Sequence, residues 1–212
     1  MKIYNAKWTS TSAGPSPYNN YRTEIFLYGC NRAIMGEPCK NCFNPSLWDS
    51  SKCMKEYSPL EVATQIIKYS PNKYVTFVGG EPLDQAEELG EVCSILKKFN
   101  YHIIVFSSYA LNDQSNFYKF NHILPYVDII IDGKYDENER IYREDFGDGF
   151  TDTIGSGNQI VWDINQQSKE IKGFYARDLS GIYVSKNNSL KFITKNNQVV
   201  EQTYQYNKKI AC

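Results

Sequence analysis

The residues best suited to chemistry in this chain are thiols. Six cysteines stand among 212 residues, and four of them fall close together: Cys30, Cys39, Cys42 and Cys53. That is too sparse for a small disulfide scaffold, and in a reducing compartment free thiols serve metal or redox chemistry. A Cys-x2-Cys turn brings Cys39 and Cys42 to one metal centre, and the loop before it delivers Cys30 as a third ligand. Two chemistries follow from this set. With Cys53 as the fourth ligand it closes a structural zinc tetrahedron. With three cysteines alone it holds a four-iron cluster and leaves one iron open to a substrate or cofactor.

A second candidate is Phe77-Val78-Gly79-Gly80-Glu81-Pro82. Two glycines at the end of an apolar run let the backbone approach a ligand closely, and Glu81 is able to anchor the turn or to accept from an ammonium group. Taken alone, the same residues describe a tight strand-to-helix turn. His102 and His122 are too few and too scattered for a histidine metal site, and Cys93 shares an apolar helical face, which reads as core. The mixed-charge stretch from Asp136 to Phe150 reads as a solvated loop. No paired-carboxylate or Ser-His pattern is present to serve as general acid and base.

The elements that must position these residues alternate. Glu24-Ile25-Phe26-Leu27-Tyr28, between Tyr21 and Gly29, is a β-prone run that opens into the Cys-rich loop, and it reads as a buried first strand. Ser58-Pro59-Leu60-Glu61 has the form of a capping box, and Leu60, Ala63, Ile66 and Ile67 then share a helical face up to Ser70-Pro71. Tyr74 to Val78 predicts a strand, and Leu83 to Phe99 a helix carrying Ala86, Leu89, Cys93 and Leu96 at helical spacing. His102 to Phe106 and Val127 to Ile131 repeat the short apolar strand, with a weaker helical stretch from Ser115 to Leu124 between them.

Such alternation implies right-handed βαβ units and a parallel sheet. The repeating part ends near residue 165, short of the roughly 250 residues of a closed eight-fold barrel. We therefore expect an α/β fold, a partial (β/α) barrel or open sheet over residues 1–165. Residues 166–212 would form a small C-terminal antiparallel β appendage from Ile182 to Ser185, Leu190 to Thr194 and Val199 to Tyr204, turned by Asn-rich links. Active sites of such sheets gather at the carboxyl ends of the strands. The Cys loop, Gly79-Gly80, Ser107-Ser108 and Asp132-Gly133 would all lie there.

Composition narrows the partners. The formal charge is −1, with no basic excess to favour nucleic acid, and no apolar run approaches the length of a membrane span or a signal-peptide core. The cytoplasm is the expected compartment.

Taken in order, the motifs carry a resemblance. Cys-x2-Cys followed by Phe43-Asn44-Pro45 and Trp48-Asp49, with Gly79-Gly80-Glu81-Pro82 downstream, resembles the radical S-adenosylmethionine (SAM) enzymes. Val127 to Gly133 and Gly155-Ser156-Gly157-Asn158-Gln159 are similar to a narrower group, the activating enzymes of anaerobic (class III) ribonucleotide reductase. The likeness spans roughly Arg22 to Asp163. It implies a radical SAM type of barrel, one 4Fe-4S cluster on Cys30, Cys39 and Cys42, and SAM on the open iron. By the same resemblance Gly79, Gly80 and Glu81 hold the methionyl amino group, Asn41 and Phe43 lie against SAM, and Ser107 is a weaker ligand contact. It also implies a glycyl radical enzyme as protein substrate and a flavodoxin- or ferredoxin-like electron donor. The family usually has three residues between its first two cluster cysteines, whereas this chain has eight, from Asn31 to Pro38. A small-molecule radical SAM enzyme similar to the 7-carboxy-7-deazaguanine synthases, or a peptide-modifying one, is the alternative within the superfamily. The alternative outside it is the zinc module on Cys30, Cys39, Cys42 and Cys53.

Overall fold

The computed structural model describes residues 1–11, 14–18, 21–142, 154–165, 170–184 and 189–203. Seven strands form one sheet: β1 (Ile3–Ser10), β2 (Arg22–Leu27), β3 (Tyr74–Gly79), β4 (His102–Phe106), β5 (Ile129–Asp132), β6 (Ile160–Asn165) and β7 (Glu170–Tyr175), neighbours in that order. β2 to β5 run parallel, and β1, β6 and β7 pair antiparallel at the two sides. Three further strands, β8 (Leu179–Val184), β9 (Ser189–Thr194) and β10 (Val199–Thr203), make a separate antiparallel sheet. The expected α/β class with a parallel core and a small antiparallel meander is thus present. Its turn at Asn197 has φ of 61°, the left-handed conformation that Asn tolerates. The other expected turn, at residues 186–188, lies outside the described residues, as do Tyr204 and Cys212.

The helices arise where the sequence marks them. In α2 (Pro59–Tyr69) the Ser58 hydroxyl accepts from the Glu61 N–H at 3.2 Å while the Glu61 carboxylate accepts from the Ser58 N–H at 2.8 Å, satisfying two donors that a helix start otherwise leaves open. Its buried arc is Val62, Ala63 and Ile66, whereas Leu60 sits on the rim of that arc and stays exposed. α3 (Ala86–Lys98) begins after a 3-10 turn at Pro82–Gln85 and buries Leu89, Val92, Cys93 and Leu96. The helical stretch expected from Ser115 to Leu124 is a 3-10 turn followed by the four-residue α4 (Phe117–Phe120) and further turns.

The strand-like run from Gln159 to Trp162 leads into β6, but two other strands have no counterpart in the sequence reading. β1 precedes the expected first strand and pairs with it, Lys7 opposite Glu24. β7 follows residue 165 and pairs with β6 from Asn165↔Glu170 to Ile160↔Tyr175, so hydrogen bonding of the large sheet runs on into the C-terminal region.

Strand alternation sorts side chains onto two faces. On one, Ile25, Leu27, Val75, Phe77, Ile103, Val105 and Ile130 pack against α2 and α3. On the other, Ile104, Ile129, Ile131 and Val161 pack against Leu179, Ile182, Leu190 and Phe192 of the small sheet. Each such fully buried aliphatic side chain contributes about 1.5–3 kcal/mol. The small sheet covers the β4 to β6 part of this second face. Glu24, Phe26, Val78 and Phe106 of the same face line a cavity instead.

Candidate iron-sulfur and cofactor site

The Cys loop starts where β2 stops. Gly29 takes φ of +96°, and the Gly29 and Cys30 N–H groups donate to the Leu47 and Trp48 carbonyls at 2.7 and 3.0 Å. The next residues form α1 (Asn31–Ile34), absent from the sequence reading, whose first bond runs from the Ile34 N–H to the Cys30 carbonyl. Asp84 seats this arch: its carboxylate accepts from the Asn31 N–H at 2.6 Å and the Tyr109 hydroxyl at 2.7 Å, and lies 3.4 Å from the Lys119 ammonium. Arg32 reaches Ser108 Oγ at 3.4 Å. The arch returns through Gly36 to the Cys39–Cys42 turn, closed by the Cys42 N–H on the Cys39 carbonyl, with Asn41 left-handed at φ of 56°. The Asn44 N–H donates to Cys42 Sγ at 3.4 Å, the kind of contact that steadies a ligating sulfur.

Gly79 and Gly80 pack against backbone as well as lining the cavity described below. A Cβ on Gly80 would stand 2.0 Å from the Gly29 carbonyl oxygen, and one on Gly79, whose φ is +121°, 2.5 Å from the Leu27 nitrogen. The glycines let β3 close on the end of β2, where the Gly80 and Glu81 N–H groups donate to the Leu27 and Gly29 carbonyls. The turn after β3 is thereby joined to the residue before Cys30.

Glu81 is 1% exposed and its carboxylate accepts four hydrogen bonds: Leu83 N–H and Ser107 Oγ on one oxygen, Ser108 N–H and Ser108 Oγ on the other, at 2.7–3.0 Å. Burial raises its pKa and these donors oppose the rise. In this arrangement Glu81 anchors the turn and draws in the loop after β4. Gln159 does the same for the loop after β5, accepting from the Gly155 and Ser156 N–H groups and donating to the Gly133 carbonyl at 3.2 Å.

These loops surround a cavity of about 640 Å³. Cys30, Cys39, Cys42, Phe43, Gly79, Gly80, Glu81 and Ser107 all line it. Asn41 is not among its lining residues; it shapes the Cys turn through its backbone. Phe43 is 62% exposed, with its ring 5.0 Å from that of Tyr135 and under the Arg140 guanidinium at 5.8 Å. Arg140, Ile141 and Tyr142 also line the cavity, so the described part of the mixed-charge stretch borders the site; residues 143–150 lie outside the described residues.

The donor set fits an iron-sulfur cluster. Three thiols border one cavity, while Cys53 donates its Sγ–H to the Lys55 carbonyl at 3.1 Å and is not among the lining residues. Among the described residues no group of three His, Cys, Asp or Glu side chains is arranged to hold a single metal ion. Three thiolates are the number that holds a four-iron cluster with one iron left open, whereas a structural zinc site closes with four ligands. Burial pushes the Cys30 thiol up to about 11, with Glu81 and Asp84 adding to the rise, and raises Cys39 as well. Loading the site with metal therefore releases protons.

The comparisons point to an iron-sulfur protein. Residues 19–162, well over half of the chain, match the family model described as a 4Fe-4S single cluster domain. The chain is 27% identical over 151 residues to the anaerobic ribonucleoside-triphosphate reductase-activating protein of Enterobacteria phage T4, covering 66% of this chain and 83% of that one. It is 26% identical over 155 residues to the protein of the same name from Pasteurella multocida (strain Pm70), covering 68% and 89%. A pyruvate formate-lyase-activating enzyme of Staphylococcus aureus (strain USA300) is 30% identical over 149 residues, covering 66% of this chain and 56% of that enzyme. The chain belongs to the 4Fe-4S single cluster domain family, as an iron-sulfur oxidoreductase of the radical SAM activating-enzyme kind.

Proposed function

We propose that this protein generates a glycyl radical on anaerobic ribonucleotide reductase, using a cluster on Cys30, Cys39 and Cys42 and SAM as its second cofactor. The observation that supports this best is that the three thiols, Phe43, Gly79 to Glu81 and Ser107 all border one cavity at the carboxyl ends of parallel strands. The chemistry supplied by the bound groups is one electron into the SAM sulfonium, methionine leaving, and one hydrogen atom moved from a glycine Cα into 5'-deoxyadenosine. The chain's own part is to hold and shield. The thiols ligate; the Gly79 to Glu81 turn and Ser107 shape the wall where the methionyl end binds; Phe26, Val78 and Phe106 keep water from the reacting centre. A flavodoxin- or ferredoxin-like protein of the cytoplasm supplies the electron. Both the phage T4 and Pasteurella relatives are named for the reductase, and the chain spans most of their length, which favours that partner over pyruvate formate-lyase.

The test is anaerobic reconstitution followed by SAM and dithionite, with iron, sulfide and 5'-deoxyadenosine quantified, and then addition of the reductase. About four irons per chain, 5'-deoxyadenosine, and a glycyl radical signal on the reductase by electron paramagnetic resonance are expected. One zinc per chain with no 5'-deoxyadenosine would overturn the reading. Replacing Cys30, Cys39 or Cys42 by Ala is expected to abolish cluster binding.

A further inference from the structure

The cavity has a second polar end besides the one that carries the thiols. Lys7 and Glu24 line it together with the thiols. Leu27 is in register with Gly79, and Glu24 lies three residues earlier on β2, opposite Thr76. At about 3.3 Å per residue it sits roughly 10 Å back along the strand from the Gly79 edge. Phe26, Val78 and Phe106 make the apolar wall between the two ends.

Glu24 is an unusual residue for the middle of such a wall. Its side chain is 9% exposed. Oε2 accepts from Ser10 Oγ at 2.8 Å and lies 4.0 Å from the Lys7 ammonium, which also sits 4.9 Å over the Phe26 ring. Oε1 takes no hydrogen bond from the described residues and is not sealed from the cavity. Burial raises the pKa of this carboxyl, against the pull of Ser10 and Lys7. A long ion pair with an exposed lysine contributes at most about 1 kcal/mol, less than burial of a carboxylate with an open oxygen typically costs. Fold stability alone therefore gives a poor account of Glu24. A ligand that supplies the missing donor gives a better one.

A glycine offers no side chain, so the handles nearest its Cα are main-chain N–H and C=O groups. One acceptor and one donor side by side match them. We propose that Lys7 and Glu24 form a subsite for the main chain of the partner's glycine-bearing segment, Glu24 Oε1 accepting an N–H and Lys7 Nζ donating to a carbonyl. The segment then crosses the apolar wall with its glycine facing the thiol end. This rests on the reading of the substrate as a protein.

The experiment uses the reconstituted holoprotein and anaerobic ribonucleotide reductase, measuring KM for the reductase and kcat for glycyl radical formation in wild type, Glu24→Gln and Lys7→Met. Gln fills the same volume and can bond Ser10 with either end of its amide, but in neither orientation does it present a charged acceptor to the cavity. Glu24→Gln is expected to raise KM about 10- to 100-fold, as for loss of a charge-assisted hydrogen bond, with a much smaller change in kcat. Lys7→Met, at a half-exposed position where folding is not at risk, is expected to raise KM several-fold. Iron content and melting temperature report whether each variant is folded and loaded. Wild-type KM in both variants, with the radical still formed, overturns the subsite and leaves the activase reading standing. No glycyl radical with the wild-type protein overturns the activase reading and takes the subsite with it.

Discussion

The two ends of the parallel strands are both polar and both buried, yet they differ in kind. At the amino ends, Arg22 opens β2, Tyr74 opens β3, His102 opens β4 and Asp128 precedes β5. The Arg22 guanidinium donates to Thr76 Oγ1, to the Val75, Pro15 and His102 carbonyls, and stands 3.2 Å from His102 Nδ1. Asp128 accepts from Lys97 at 2.6 and 2.7 Å and from the Ile103 N–H at 2.8 Å. Burial lowers Arg22 to about 9 and His102 to about 3. At the carboxyl ends the polar groups border a cavity instead. Strongly displaced pKa values therefore mark the closed end at least as clearly as the open one. Titration alone does not find this site; what does is polar groups and thiols facing a shared space. Polar residues at the amino ends serve stability, a division of labour familiar from barrels of parallel strands.

Four substitutions sharpen that contrast. Replacing Arg22 by Met removes a donor from four buried acceptors and is expected to cost about 3–5 kcal/mol, read as a lowered urea midpoint, with iron per folded molecule unchanged. Loss of iron at wild-type stability would erase the distinction between the ends. His102 carries a pH signature. It stays neutral in the folded chain, while in the unfolded chain it protonates near 6.5, so its contribution is complete above pH 6.5 and is lost as pH falls toward 3. His102→Gln is expected to flatten that acid limb by on the order of 3 kcal/mol; an unchanged profile would remove His102 from the account. At the open end, Gly80→Ala pushes a methyl group into the Gly29 carbonyl, and about 1–3 kcal/mol of destabilisation is expected. Because Gly29 precedes Cys30, iron content should fall with it, in contrast to Arg22→Met. Smallest is Cys53→Ala, expected within about 0.5 kcal/mol of wild type and with full iron; if it alone emptied the site, the ligand assignment would be wrong.

Much of this was legible in the sequence because the informative signals are local. Ser58-Pro59 with Glu61, the short apolar runs of β3 and β4, and the helical spacing of Leu89, Cys93 and Leu96 depend on neighbours a few residues away. The convergence of Cys30, Cys39, Cys42, Gly79 to Glu81 and Ser107 followed from the βαβ alternation, because parallel strands send all their carboxyl-end loops to one edge. What escaped depends on register and distant pairing. β1 is a sheet edge with Tyr4, Asn5 and Lys7 along it, and only its pairing with β2 makes it a strand. The glycines at 79 and 80 announced a close approach, but that the approaching group is the Gly29 carbonyl depends on Leu27 facing Gly79. Glu81 gave no sign that Ser107 and Ser108 would fill its lone pairs. Arg140 to Tyr142 looked like solvated loop because nothing local ties that stretch to the cavity.

The arch from Asn31 to Pro38 is tied down at its start by Asp84 and Trp48 and at its end by the Cys39–Cys42 turn. In polymer terms its interior is a tether between fixed posts. Each doubling of such a tether costs only about 0.6 kcal/mol in closure entropy. Residues added to such a loop are thus nearly free thermodynamically, provided both posts stay in place. Length here is a quantity that descent can vary, and Ile34 and Met35, exposed on the crest of the arch, are where such variation changes the outer surface while the thiols beneath keep their positions.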